Sequence, residues 1–384
     1  MTTWDVAVIG AGCFGAWTAL SLRRKGFSVV LLDQYGPANA RSSSGGESRI
    51  IRMGYGPDEL YTRMSLGSLG AWQRLADETR EPLFHRTGVL WLARAGDRYT
   101  ADTLATLARV GVPHEALDAP AIRARYPQFV LDDDVWGIFE PQSGALMARR
   151  AVQAVVREAL RAGVDYRAAA VAPPEPPEPR GRLPAVRSGD GVEIAAGAFV
   201  FACGPWLPGV FPALLGARIF PTRQEVFFFG PPPGDERFAP PRMPTWIDFG
   251  AEIYGLPDLE SRGFKLAPDR HGGPIDPDLD ERLVAAASVE RVRSFLARRF
   301  PALAAAPLVE ARVCQYENTW NGDFLIDRHP EADNVWLVGG GSGHGFKHGP
   351  AVGEYVAERL AGDGTPEPRF GLATKQALKQ RAVF

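Results

Sequence analysis

Gly10, Gly12 and Gly15 stand in the spacing G-x-G-x-x-G, and Asp33 follows eighteen residues after Gly15. Glycines so placed permit a tight turn and let backbone amides approach a pyrophosphate. A helix that starts there stabilises the anion, and the acid accepts hydrogen bonds from ribose hydroxyls. Without a ligand the same residues are a glycine-rich turn. Downstream, "SSSGGESRIIRMGYG" (42–56) is a small-residue loop with Arg49 and Arg52 three apart. It reads either as backbone lying against a cofactor, both arginines to one side, or as a solvated loop with surface charges. "GSGHGFKHGP" (341–350) overlaps a run with five glycines in residues 339–345. That composition suits close approach of the backbone to a ligand, or a plain strand-to-helix turn.

Of 43 Lys and Arg, five are Lys: Lys25, Lys265, Lys347, Lys375 and Lys379. The chain uses arginine nearly everywhere a positive charge suffices. A lysine kept inside a glycine-rich segment, such as Lys265 or Lys347, is either there for its amine or a product of drift. Cys314 sits in "EARVCQYENTW" with no obvious partner. Its chemistry is open between buried filler, nucleophile, metal ligand and attachment point. Cys13, inside the first turn, and Cys203, at a strand end, read as inert. The six histidines are scattered and neither CxxC nor HExxH occurs, so no metal site is expected.

These residues need elements to hold them. Residues 6–9 form a β-branched run entering the first turn. A helix pattern ends near Lys25 with Gly26 as its stop, and a second strand covers 29–32. This is βαβ grammar. Further helices are expected over 57–79, 148–162, from 288 to Pro301, and after Pro350. Strands are expected at 89–92, 135–139, 199–202, 226–229 and 335–338, and "APPEPPEPRGRLP" (172–184) reads as an exposed excursion. Strands near 8, 200 and 337 each feed a glycine-rich turn. Those near 90, 136, 227 and 253 sit among aromatics instead. The pattern predicts a nucleotide-binding domain assembled from discontinuous pieces, with a β-rich domain inserted.

The chain has 384 residues, 45% apolar and 23% charged, enough for two domains and a large core. Its net charge of −2 excludes nucleic acid and anionic membranes as expected partners. No apolar run approaches ~18 residues, so no membrane span is expected. A first strand starting near Asp5 leaves no room for a signal peptide, and three separated cysteines make no disulfide framework. A cytoplasmic protein is expected.

The order GAGCFG with Asp33, ESRIIR (47–52), TGVL (87–90), FEPQSG (139–144), GFKL (263–266), VCQYENT (313–319), FLIDRHP (324–330) and SGHGFK (342–347) resembles the D-amino-acid-oxidase-type flavoproteins. The likeness covers nearly the whole chain. It falls within the subgroup of monomeric sarcosine oxidase, N-methyltryptophan oxidase and pipecolate oxidase. The resemblance implies an α/β fold with α+β elements. Residues 1–85, 145–215 and 320–384 would form a Rossmann-like FAD-binding domain, and 86–144 and 216–319 an inserted antiparallel-sheet substrate domain.

The cofactor so implied is FAD. Its contacts would come from Gly10, Gly12, Gly15 and Asp33 in the first turn and from Ser43, Arg49 and Ile50 in the small-residue loop. Val171, Gly343, Gly345 and Lys347 complete the set. Cys314 holds the position of the cysteine that, in the relatives, is joined to a flavin ring methyl by a thioether. Arg52 and Lys347 match the pair that binds the substrate carboxylate, an arrangement that joins a planar fork to a point charge. Tyr254 and Tyr316 would line the pocket, and Lys265, Arg49 and Tyr316 form the implied catalytic group. Lys265 matches the lysine associated with oxygen activation, where a cation stabilises the superoxide formed. The implied reaction oxidises a secondary amine next to a carboxylate to an imine, with oxygen reduced to hydrogen peroxide, in a monomer. It needs no strong base on the protein. The rivals are a dehydrogenase using another acceptor and a flavin-binding sensor without turnover. The likeness breaks at two positions where relatives carry histidine, Gly45 and Asp269, with His271 near the second. The first removes bulk, and both point from sarcosine toward a larger N-substituted or cyclic amino acid.

Overall fold

The computed structural model describes residues 3–175 and 180–376. Lys379 and residues 176–179 of the proline-rich stretch lie outside the described residues.

The first strand, Trp4–Ile9, is buried at every position except Asp5. Such near-continuous burial is what a central parallel strand requires. It pairs in parallel with Val29–Asp33 on one side and Glu193–Phe201 on the other. Ala332–Gly339 and Asp165–Ala168 extend the parallel array, and Leu325–His329 and Ala185–Arg187 add antiparallel strands to make seven. Three strands expected near 8, 200 and 337 are therefore neighbours, with Val8 beside Val200 and Val200 beside Trp336. Their glycine-rich turns gather at one end, where doubly wound sheets bind ligands. Helix Cys13–Arg24 packs against helix Gly349–Ala361. A Cβ at Gly353 would lie 2.6 Å from the Trp17 carbonyl carbon, so that glycine sets how closely the helices approach.

The second sheet has eight strands. From one edge they are Leu308–Thr319, Ile219–Phe229, Phe264–Pro268, Ile253–Leu256, Thr245–Asp248, Val89–Arg94, Val135–Glu140 and Glu115–Asp118. All pair antiparallel except Thr245–Asp248 with Val89–Arg94. Side chains alternate between its faces. Phe227, Phe229, Trp246, Phe264 and Leu266 join Phe295, Leu296 and Phe300 of helix Ala286–Arg299 and the residue after it in one buried cluster. Val226, Phe228 and Ala267 make a separate small cluster with Tyr254, and Lys265 lies over the Phe228 ring. That second face borders the site.

A small third sheet, Arg49–Ile51 with Gly144–Leu146 and Phe84–His85, carries the small-residue loop. Helix Glu59–Thr79 matches the expectation. Helix Arg98–Val110 and the long strand Leu308–Thr319 were not foreseen. Among the described residues no helix is long and apolar enough to cross a membrane.

Candidate active site

A cavity of about 400 Å³ opens at the glycine-rich end of the parallel sheet. Gly10 has φ +105°, and a Cβ there would lie 2.3 Å from the Ala202 carbonyl oxygen, so no other residue fits this turn. Gly12 lines the cavity and a Cβ on it would touch only Ser44 Oγ, at 3.5 Å. Gly15 does not line it. A Cβ there would fall 1.8 Å from the Gly10 oxygen, so Gly15 serves the close packing of helix on strand rather than a ligand contact. Asp33 closes the second strand at the cavity wall. Its Oδ2 accepts from Ala11 N at 2.7 Å and its Oδ1 from Tyr35 N at 2.9 Å, while burial pushes its carboxyl above the usual range. Ser43, Val171, Gly343 and Gly345 also border this space.

The residues fit a dinucleotide. Three polar atoms of residues on the cavity wall, Ser43 Oγ, Trp206 Nε1 and Glu317 Oε1, are buried without a partner among the described residues. An unsatisfied buried polar atom costs roughly 1–3 kcal/mol, and a ligand rich in hydroxyls and N–H groups offsets that. Glu317 was not singled out from the sequence. Burial pushes its carboxyl up to about 7 against donation from the Gly340 and Gly341 amides.

A second cavity, about 80 Å³, adjoins the first. Arg49, Tyr316, Gly343 and Phe346 line both. Only the smaller is bordered by Ile50, Arg52, Tyr254, Cys314 and Lys347, so the structure gathers these expected residues on one wall system. Ile50 and Lys347 thus belong to the small cavity rather than to the large one.

Arg52 is buried between aromatic faces, 4.7 Å from the Tyr55 ring and 4.4 Å from that of Trp91. One guanidinium nitrogen donates to the Gly54 carbonyl. Glu140 fixes the backbone behind it, accepting from Met53 N at 2.8 Å, Gly54 N at 3.0 Å and Trp91 Nε1 at 2.8 Å. Glu140 is fully buried, and its signal was the acid inside FEPQSG. Lys347 Nζ donates to the His344 carbonyl at 3.0 Å and stands 5.0 Å from the Tyr55 ring. Burial and then Arg52 hold its amine well below the ordinary lysine range. Two cations so close raise each other's cost, and an anion between them offsets it.

Cys314 lies on strand Leu308–Thr319 opposite Gln224, with Sγ 3.4 Å from Arg49 Nη2. The same guanidinium donates to the carbonyls of Ser43 at 2.7 Å and Ser48 at 2.8 Å. The thiols of Cys13 and Cys203 are pushed far up by burial, which leaves them unreactive. Lys265 lines neither cavity. It is 2% exposed, with Nζ donating to the Ser48 carbonyl at 2.7 Å, and burial with Arg49 lowers its pKa well below the usual value. Gly45 lines neither cavity as well. A Cβ there would meet the Asn39 oxygen at 1.9 Å, so this glycine serves backbone packing and opens no room for a substrate. Asp269 borders the small cavity, and Tyr316 donates to its Oδ1 at 3.1 Å. Gln224, Val226, Ile247 and Phe249 complete walls that sequence reading missed.

Comparison with known proteins agrees with this geometry. A family model described as FAD dependent oxidoreductase (DAO) matches residues 5–359. The chain is 32% identical over 387 residues to a monomeric sarcosine oxidase of Streptomyces avermitilis, covering 98% of each chain. It is 28% identical over 378 residues to an N-methyl-L-tryptophan oxidase of Citrobacter koseri, covering 96% of this chain and 97% of that one. Among solved structures, an L-proline dehydrogenase from P. horikoshii superposes with a TM-score of 0.85 at 20% identity, covering 99% of both chains. NikD, an amino acid oxidase of nikkomycin biosynthesis, gives 0.77 at 21%, covering 100% of this chain and 99% of that one. These two likenesses speak for the fold.

Proposed function

The chain belongs to the FAD-dependent oxidoreductase family, and from that premise we propose that it oxidises a secondary amine bearing an adjacent carboxylate to an imine, with oxygen as acceptor. FAD, when bound, supplies the acceptor for the hydride equivalent and hands the electrons on. The first turn, Asp33 and the loop at Ser43 would hold its dinucleotide portion. Cys314 is the residue that would hold the ring covalently, and its placement beside Arg49 at the cavity junction supports that role. Residues 1–85, 145–215 and 320–384 would bind the cofactor, and 86–144 and 216–319 the substrate.

The observation that carries this reading is the small cavity itself. It joins the large one at Arg49, Tyr316, Gly343 and Phe346, and it presents Arg52 and Lys347 together. Arg52 offers a carboxylate two parallel donors, and Lys347 adds charge from a second element. Tyr254 and Tyr316 wall the cavity and exclude water. Anaerobic mixing with a panel of N-methyl and cyclic amino acids tests the proposal: at least one bleaches the flavin absorbance, whereas no response across a broad panel removes it.

One observation favours a second reading, a dehydrogenase that passes electrons to another carrier. Lys265 is sequestered on Ser48 and lines neither cavity. Mixing reduced enzyme with oxygen decides: reoxidation that is slow and unchanged in Lys265→Met establishes the dehydrogenase.

A further inference from the structure

Two carboxylates border the small cavity, and they differ in what holds them. Glu225 is paired with Arg223, 3.2 Å away. Asp269 has no cation within ion-pair distance among the described residues, and the Tyr316 hydroxyl is the one side-chain donor to it. Its backbone is anchored, Asp269 N donating to the Glu252 carbonyl at 2.8 Å, so the carboxyl is held where strand Phe264–Pro268 ends. Arg52 and Lys347 line the same cavity and act on it electrostatically. A cavity of about 80 Å³ has room for roughly half a dozen water-sized groups. A small amino acid inside it touches opposing walls at the same time.

We propose that Asp269 receives the protonated amine of the substrate, so that the cavity recognises a zwitterion by both of its charged ends. This rests on the reading of Arg52 and Lys347 as the carboxylate site. It selects substrates whose nitrogen keeps at least one N–H in the cationic form and rejects N-acyl amino acids, whose nitrogen carries no charge. It also supplies what the two cations lack. With a carboxylate between them and an ammonium on Asp269, three charges that are poorly compensated in the free protein acquire partners together.

The groups facing Asp269 are Tyr254 on the adjacent strand, Tyr316 on strand Leu308–Thr319 two places away in the sheet, Glu252, and Arg52 with Lys347 from their own elements. Desolvation outweighs the Tyr316 hydrogen bond and the two cations, and the carboxyl is pushed up to about 6. Above that pH the residue is anionic and holds an ammonium; below it the hold is lost.

The test uses the flavin-loaded enzyme and two ligands matched in shape, 1-aminocyclopentane-1-carboxylate and cyclopentanecarboxylate. The first has no hydrogen on the carbon bearing nitrogen and resists oxidation there. Binding is followed by the change in flavin absorbance. The wild type prefers the amino acid by about tenfold or more at pH 7.5, the scale of one hydrogen bond to a charged group. That preference falls as pH drops through 6. Asp269→Asn loses it while binding the amine-free acid at least as well, and Asp269→Glu keeps part of it. Equal tightening of both ligands in Asp269→Asn overturns the proposal and makes the residue a mere neutraliser of Arg52 and Lys347. Equal affinity of the wild type for both ligands also overturns it, with the carboxylate site left standing. If neither ligand binds and Arg52→Met changes nothing, the carboxylate site fails first and the proposal falls with it.

Discussion

The Arg49 guanidinium, which lines both cavities, donates to the sulfur of Cys314, on the wall of the smaller one, at 3.4 Å. The contact sets the sulfur beside a residue common to both cavities, where Cys314 would hold the flavin if the proposed tether forms. After acid precipitation the wild-type pellet therefore keeps its yellow colour, whereas Cys314→Ser releases flavin to the supernatant. A colourless wild-type pellet would show that the cofactor is held without a covalent bond.

In the proposed carboxylate site Arg52 would contribute charge-assisted hydrogen bonds, each of about 1.5–3 kcal/mol. Arg52→Met should raise the apparent Michaelis constant for an amino acid by about tenfold to a hundredfold. The corresponding amine without a carboxylate should be almost unaffected. Equal effects on both ligands would mean that Arg52 supports the fold of the loop and not the substrate.

Lys265 makes a prediction about the oxidative half of the cycle. Its amine is cationic below its own lowered pKa and neutral above it, so reoxidation by oxygen should slow as pH rises through that value. Lys265→Met should be slower by tenfold or more at low pH and should lose the pH dependence. Anaerobic flavin reduction in the same variant should change little. Stopped-flow absorbance reports both steps separately.

The glycines of the first turn divide into two kinds. Gly12→Ala meets only Ser44 Oγ at 3.5 Å, so the protein should fold, yet its new methyl lies on the cofactor cavity and should lower the flavin content. Gly15→Ala drives a Cβ to 1.8 Å from the Gly10 oxygen, and relieving that clash costs about 3 kcal/mol or more. It should lower the melting temperature with or without flavin. The flavin-to-protein absorbance ratio and thermal unfolding together tell the two kinds apart.

The four central strands of the parallel sheet, near 8, 31, 200 and 337, were legible as local apolar runs, whereas its edge strand Asp165–Ala168 is largely exposed and shows no such run. The strand carrying Cys314 was not, because several of its residues face cavities rather than core. Cys314, Gln315, Tyr316 and Glu317 give no apolar alternation to read. Helix Arg98–Val110 hid for a related reason: its buried side is Thr100, Thr103, Thr106 and Leu107, and threonine carries little hydrophobic signal. In the site, Arg52 and Lys347 came from matching motifs, with the chain's scarcity of lysine pointing independently to Lys347. Gln224, Ile247 and Phe249 could not be found that way, since only the folding of the second sheet brings them to the cavity. Gly45 shows the opposite error, a pocket meaning given to a residue that packs against backbone.

The strand Leu308–Thr319 gives Cys314 and Tyr316 to the small cavity, and Gln315, Tyr316 and Glu317 to the large one. Its partner, Ile219–Phe229, sets Gln224 opposite Cys314 and contributes Gln224, Glu225 and Val226 to the small cavity alone. Inserting one residue ahead of Cys314 would turn every side chain beyond it to the opposite face and lose the thiol and the pocket tyrosine in a single step. Replacing Gln224 or Val226 touches neither. Adaptation to a new amine therefore has a free strand to work on and a fixed strand to leave alone, and descendants of this chain should diverge along the first while the second stays frozen.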